Sequence, residues 1–210
     1  MDSNITRKFL IKLEHIINLI GEYSMEKKNY DLVILYSGGA DSRLMLEFAK
    51  EMGRTPYCIM VDYGQLNIDE LKFAKSHLEE NFIDSQTVIL GGLKVNSGLT
   101  GDGIKDETGD VHEMHVPGRN TMFLSIAYSI AESKGINTIW LGSDWDDRLN
   151  LFPDCYQEYI VAMNEVFKIA GPKPINIQAP LSGLSKIGII RLLKNKGIEE
   201  HEIYSGYGDL

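Results

Sequence analysis

Cysteine is scarce in this chain. Cys58 and Cys155 are the only two, and no CxxC pair exists, so the sequence holds no self-contained zinc site. Two isolated cysteines fit a reducing cytoplasm better than a disulfide scaffold. Long apolar runs are also missing. The opening stretch MDSNITRKFLIKLEHIINLIGEYSMEKKN carries charge throughout, with neither a signal-peptide core nor a membrane span. Basic charge is in deficit: 21 Lys and Arg stand against 30 Asp and Glu, for a formal net charge of −9. Direct nucleic-acid binding needs clustered cations and is not expected. Internal repeats and low-complexity tracts are absent. Two familiar phosphate signatures are absent as well, the Gly-Lys-Ser/Thr ending of a Walker loop and the GxGxxG of a dinucleotide fold.

What is present suits one domain with a sizeable core, since 210 residues fall within ordinary domain size. Residues 5–22 place Phe9, Leu10, Leu13, Ile16, Ile17 and Ile20 at helical spacing. Residues 1–28 therefore read as an amphipathic helical extension, either packed on the core or serving as a docking or dimer element. From residue 29 to 210, short apolar runs alternate with helical patterns. DLVILYS, PYCIMVDYG, DSQTVILGG, INTIWLGS and INIQAPL read as strands. RLMLEFAKEMG, IDELKFAKSHLEE, NTMFLSIAYSIAESKG, CYQEYIVAMNEVFKIA and KIGIIRLLKNKG read as helices. The alternation predicts an α/β domain: a doubly wound, mostly parallel five-stranded sheet with helices on both faces. Ligands in such sheets bind at the carboxyl ends of the strands. Residues 96–118, rich in Gly and Asp and poorly periodic, form either a lid or an inert insertion.

The most informative string is Ser37-Gly38-Gly39-Ala40-Asp41-Ser42, where the first strand gives way to a helix. Glycines let backbone approach a ligand without a clashing Cβ, and a helix N-terminus offers free N–H groups and a positive dipole end. Ser37 and Ser42 add hydroxyls. The string is a cradle for an anion, and phosphate is the expected one. Asp41 would repel phosphate, so it either coordinates Mg2+ or caps the helix.

This string resembles the pyrophosphate loop of the N-type ATP pyrophosphatases. With VDYGQ (61–65), HVPGRNTMFLSIA (115–127), LGSDWDDRLNLFPDC (141–155) and APLSGLSK (179–186), the chain resembles the 7-cyano-7-deazaguanine synthase (QueC) family from about residue 31 to 207. The resemblance implies an adenine nucleotide alpha hydrolase-like fold and a ligase that consumes ATP with Mg2+. The carboxylate of 7-carboxy-7-deazaguanine would be adenylated and pyrophosphate released. Ammonia would then displace AMP, and a second activation would dehydrate the amide to the nitrile.

The same resemblance places Ser37, Gly38, Gly39, Asp41 and Ser42 on the ATP phosphates. It puts Asp62 and Gln65 in the second loop, and Gly142 in the loop after the fourth strand. Arg119, with its bidentate fork, and Lys186, as a point charge, are the candidate catalytic cations beside Asp41. Each has a plainer alternative: a structural ion pair for Arg119, a solvated surface lysine for Lys186. Asn120 is a base-edge or ribose contact, or else a helix cap. Asp147 and Asp154 meet substrate amino groups or Mg2+, or are turn residues. Cys155 is a reactive or an inert thiol.

The chain departs from the family pattern at two loops and at its end. The second loop, usually Gln-Arg-His, reads Gln65-Leu66-Asn67, and the substrate loop, usually Gly-Tyr-Pro-Asp-Cys-Arg, reads Leu151-Phe152-Pro153-Asp154-Cys155-Tyr156. Two basic positions are lost on the substrate side. The closing IYSGYGDL stands where a four-cysteine zinc module would begin, so no zinc is expected. A homodimer is the expected assembly. No glutaminase triad can be argued, so free ammonia or a partner subunit must supply the nitrogen.

Overall fold

The structure is a computed structural model that describes residues 28–91, 97, 99, 116–149 and 152–204. The N-terminal helix expected over 5–22 and most of the 96–118 stretch lie outside the described residues. Strands β1 (Leu32–Leu35), β2 (Pro56–Asp62), β3 (Ser85–Ile89), β4 (Thr138–Trp140) and β5 (Asn176–Gln178) form one sheet in the order β3-β2-β1-β4-β5. Every pairing is parallel. Helices α1 (Ala40–Glu51), α2 (Ile68–Glu80), α3 (Arg119–Lys134), α4 (Trp145–Leu149), α5 (Gln157–Ala170) and α6 (Lys186–Asn195) connect and flank the strands.

β1 is the central strand and shows why. Its four residues, Leu-Val-Ile-Leu, are all buried, as a strand covered on both faces must be. Leu32 and Ile34 join a core with Leu44 and Leu46 of α1, Leu78 of α2 and Ile189 and Leu193 of α6. Val33 and Leu35 point the other way, into a core with Leu124 and Ala127 of α3 and Ile160 and Phe167 of α5. The period-2 alternation of the strand therefore feeds two separate apolar layers.

The chain runs outward through β1, β2 and β3, then returns past β1 to lay down β4 and β5. The direction of winding reverses between β1 and β4. Loops leaving the carboxyl ends of these two neighbours diverge to opposite faces and open a crevice, the usual ligand position in such sheets.

Several elements differ in extent from the sequence expectation. α1 starts at Ala40, inside the Ser-Gly-Gly-Ala-Asp-Ser string, rather than at Arg43. The fourth and fifth strands are three residues each. The helix expected from Cys155 begins at Gln157, because Pro153–Cys155 wind into a 3-10 turn first. Among the described residues, no helix is long and apolar enough to cross a membrane.

Candidate active site

The crevice is built from the phosphate loop after β1 and the loop after β4. Gly38 has φ +92°, a conformation that favours glycine, and a Cβ there would stand 3.0 Å from the Ala74 Cβ of α2. The loop therefore lies directly against α2. Gly142 closes the opposite side, where a Cβ would meet Met45 Cε at 3.2 Å and Asp41 Cβ at 3.4 Å. Its side-chain-free backbone brings the end of β4 onto the start of α1.

Ser42 organises the cradle. Its Oγ accepts the N–H of Ser37 at 3.2 Å and of Gly38 at 3.1 Å, and donates to the Gly39 carbonyl at 3.0 Å. Ser37 Oγ accepts the Gly39 N–H at 3.3 Å. The loop amides thus converge on serine hydroxyls in the interior of the turn, which fixes the shape of a loop that opens a helix N-terminus.

Lys186 reaches the Ser-Gly-Gly loop from the β5 side of the sheet. Lys186, the first residue of α6, is set by the Ser185 cap, whose hydroxyl accepts the Gly188 N–H. Its own backbone N–H donates to Asp146 Oδ2 at 2.8 Å. The ammonium reaches Asp41 Oδ2 at 2.5 Å and Asp144 Oδ2 at 3.6 Å. Asp144 is buried at the end of β4 and is laced to Asp147: the Asp144 N–H donates to Asp147 Oδ2, and the Asp147 N–H to Asp144 Oδ1, both at 3.0 Å.

Charge in this pocket is unbalanced, with three carboxylates facing one ammonium. Burial pushes the Asp41 carboxyl up, and Lys186 only partly offsets this. Asp147 is pushed up to about 6, by burial and then by Asp144 and Asp41. Burial pulls Lys186 down, yet Asp41, Asp144 and Asp147 outweigh it and hold the ammonium above its ordinary range. Asp41 Oδ1 is buried with no hydrogen-bond partner among the described residues. A divalent cation fits these facts, because Mg2+ takes one or two carboxylates together with phosphate oxygens. Among the described residues, no group of three or more His, Cys, Asp or Glu side chains is arranged to hold a metal by itself.

The second loop, after β2, is braced by its own side chains. Asp62 Oδ1 accepts the Gly64 N–H and Gln65 Oε1 accepts the Tyr63 N–H, each at 3.0 Å. Both side chains shape their own turn. Asn67, at one of the altered positions, accepts the Tyr204 hydroxyl at 2.5 Å.

Asn120 and Asp154, far apart in sequence, meet each other. The Asn120 N–H at the start of α3 donates to Asp154 Oδ2 at 3.3 Å, and its side-chain Nδ2 donates to the Asp154 carbonyl at 3.2 Å and to Cys155 Sγ at 3.4 Å. Ser143 Oγ donates to the Cys155 carbonyl. The Pro-Gly-Arg-Asn and Pro-Asp-Cys strings therefore form one bracket at the mouth of the crevice. The Cys155 thiol is pushed up to about 12, mainly by burial, which fits an inert thiol. Arg119 stands one residue before Asn120 and acts electrostatically on Cys155 and on Glu70.

Two residues come to light only in three dimensions. Glu70, in the first turn of α2, overlooks the phosphate loop, where a Cβ at Gly39 would lie 3.7 Å from its Oε1. Burial pushes its carboxyl up, against the pull of Ser37, Arg119 and Lys186. Asp144 is the second. An acid at the carboxyl end of a central strand was the available signal for it, and an acid opening the helix after the second loop was the signal for Glu70.

With this geometry in view, the relatives become informative. The family described as "Queuosine biosynthesis protein QueC" matches residues 31–209. A 7-cyano-7-deazaguanine synthase of Psychromonas ingrahamii is 30% identical, over 87% of this chain and 85% of its own. One from Rickettsia canadensis is 35% identical, over 84% of each chain. Solved structures share the fold. The U34-tRNA thiolase NcsA of Methanococcus maripaludis aligns with TM-score 0.54 at 19% identity, over 87% of this chain and 61% of that one. An NH3-dependent NAD synthetase of Campylobacter jejuni aligns with TM-score 0.53 at 16% identity, over 94% and 77%.

Proposed function

The chain belongs to the QueC family, and from that premise we propose that it is an ATP-dependent ligase acting on a 7-deazaguanine carboxylate. The carboxylate oxygen attacks the α-phosphorus of ATP, forming an acyl adenylate and releasing pyrophosphate. Ammonia adds to the acyl carbon and AMP departs with the bonding pair, leaving the amide and a proton for solvent. A second ATP activates the amide oxygen in the same way. Loss of AMP and two protons then gives the nitrile. In this reading, the product feeds queuosine biosynthesis.

The observation that carries the reading is Lys186 fixed beside Asp41, at the β1/β4 switch point, next to a Gly-Gly loop with converging amides. Two anions must meet here, and cations and preorganised donors are what lower that barrier. The loop amides and the hydroxyls of Ser37 and Ser42 hold the β and γ phosphates. Lys186 neutralises charge that develops at the α-phosphate, and Arg119 offers a fork for phosphate or carboxylate. Mg2+ held by Asp41 would supply charge neutralisation on the phosphates. Incubation with ATP, Mg2+, ammonium and 7-carboxy-7-deazaguanine, read by mass, tests the assignment.

A second reading keeps the adenylating machinery and changes the acceptor. It is favoured by Asn67, which stands where the family carries a basic residue and is engaged with Tyr204. Pyrophosphate release that depends on a different acid would mark that case.

A further inference from the structure

We propose that Arg43, buried behind the phosphate loop, sets the affinity of that loop for polyphosphate through its charge, without touching the ligand. The inference rests on the reading of the loop as a polyphosphate cradle.

Arg43 directly follows Ser42, and its backbone N–H donates to the Gly39 carbonyl at 3.0 Å. It is therefore fixed one helical turn from the loop. The residue is only 7% exposed. Its guanidinium meets a carboxylate, Glu47 Oε1, at 3.5 Å, while Lys50 takes the same oxygen at 2.9 Å. One carboxylate is thus divided between two cations. Arg43 Nε and Nη1 are buried and have no hydrogen-bond partner among the described residues.

Among the described residues the neighbours compensate only in part: the Tyr36 hydroxyl and the Glu202 carboxylate both act on Arg43. The Tyr36 hydroxyl, at the end of β1, meets His77 Nδ1 of α2 at 2.8 Å. Hydroxyl donation to Nδ1 leaves the imidazole proton on Nε2, which is also buried without a partner among the described residues. His77 is held neutral, by burial first and then by Arg43 itself. Glu202, in the 3-10 turn before Tyr204, feels Arg43 from outside the protein interior. An under-neutralised cation in a low-dielectric interior is costly to the fold, and its field acts strongly on charge nearby. Its backbone adjoins the loop, the place proposed above to take multiple negative charge.

This role differs in its signature from a packing role. Arg43→Met keeps the bulk of the side chain and removes the charge. Glu47→Gln removes the counter-charge and leaves Arg43 in place. Calorimetric titration of each folded variant with Mg2+-pyrophosphate and with a non-hydrolysable ATP analogue separates the possibilities. Arg43→Met is expected to bind roughly tenfold more weakly, with a melting temperature equal to or above that of the wild type. Glu47→Gln is expected to bind about threefold more tightly and to melt lower. Unchanged affinity in Arg43→Met, or both variants weakening together, overturns the proposal. Failure of the wild-type protein to bind either ligand overturns the cradle reading itself, and the proposal with it.

Discussion

The Lys186 ammonium and the Asp41 carboxylate, 145 residues apart in sequence, meet at 2.5 Å in the crevice between β1 and β4. The pair ties the start of α6 to the phosphate loop. It also leaves Asp144 and Asp147 sharing the same cation.

Lys186→Met should lower kcat/KM by about a hundred- to a thousandfold, the usual loss when one preorganised charge is removed from a developing anion. The three carboxylates would then face each other without a cation. Melting temperature should therefore fall at pH 7.5 and recover toward pH 5, as Asp147 takes up a proton. Pyrophosphate release and thermal melts check both parts. Full activity, or a loss of stability that does not vary with pH, would contradict the assignment.

Asp147 makes a pH prediction with a definite sign. Its carboxyl moves from an ordinary 3.8 to about 6 in the fold. A raised value means that the folded protein holds a proton the unfolded chain has already released. The associated stability is complete below about 3.8 and is lost as pH rises through about 6. Asp147→Asn should therefore melt above the wild type at pH 7.5 without ligand, with the gap closing toward pH 4. A gap that stays constant across that range would rule out Asp147 as the source.

Gly38 is doubly constrained, by φ +92° and by Ala74 at 3.0 Å. Gly38→Ala should cost about 1–3 kcal/mol and abolish nucleotide binding. Adding Ala74→Gly relieves the contact but not the backbone strain, so urea denaturation should show only partial recovery. Complete recovery would mean that contact alone fixes the loop.

Asn120 joins α3 to the Pro-Asp-Cys turn through three hydrogen bonds. Asn120→Ala removes the two made by the side chain and leaves the half-buried Asp154 carbonyl without its amide donor, which should cost about 1 kcal/mol. The KM for the deazaguanine substrate should rise more than the KM for ATP, because the bracket lies at the crevice mouth. Equal rises in both would place the bracket elsewhere in the mechanism.

Much of this architecture is legible in the chain itself. β1 can be read because four consecutive apolar residues between turn signals have few alternatives to a doubly covered strand. The phosphate loop can be read because glycine and serine at a strand-to-helix turn serve one chemistry well. Element limits were harder. α1 starts three residues early because Ala40–Ser42 already lie on the helix that aims its N–H groups at the loop. Pro153 forces a 3-10 turn before α5 that helical periodicity does not reveal. Asp144 and Glu70 were hidden for another reason. Their importance comes from what stands opposite them, Lys186 for one and Ser37 for the other, and no spacing within a string encodes a neighbour across the sheet. Asn120 and Asp154 were both singled out, but their bond to each other appears only when the two loops fold together.

The most direct test is turnover of 7-carboxy-7-deazaguanine by the purified protein with ATP, Mg2+ and ammonium, followed by mass. The account predicts amide or nitrile product, with AMP and pyrophosphate formed in proportion and lost in Lys186→Met. Tight ATP binding with no conversion of that carboxylate would contradict it and leave the acceptor to be sought among other acids.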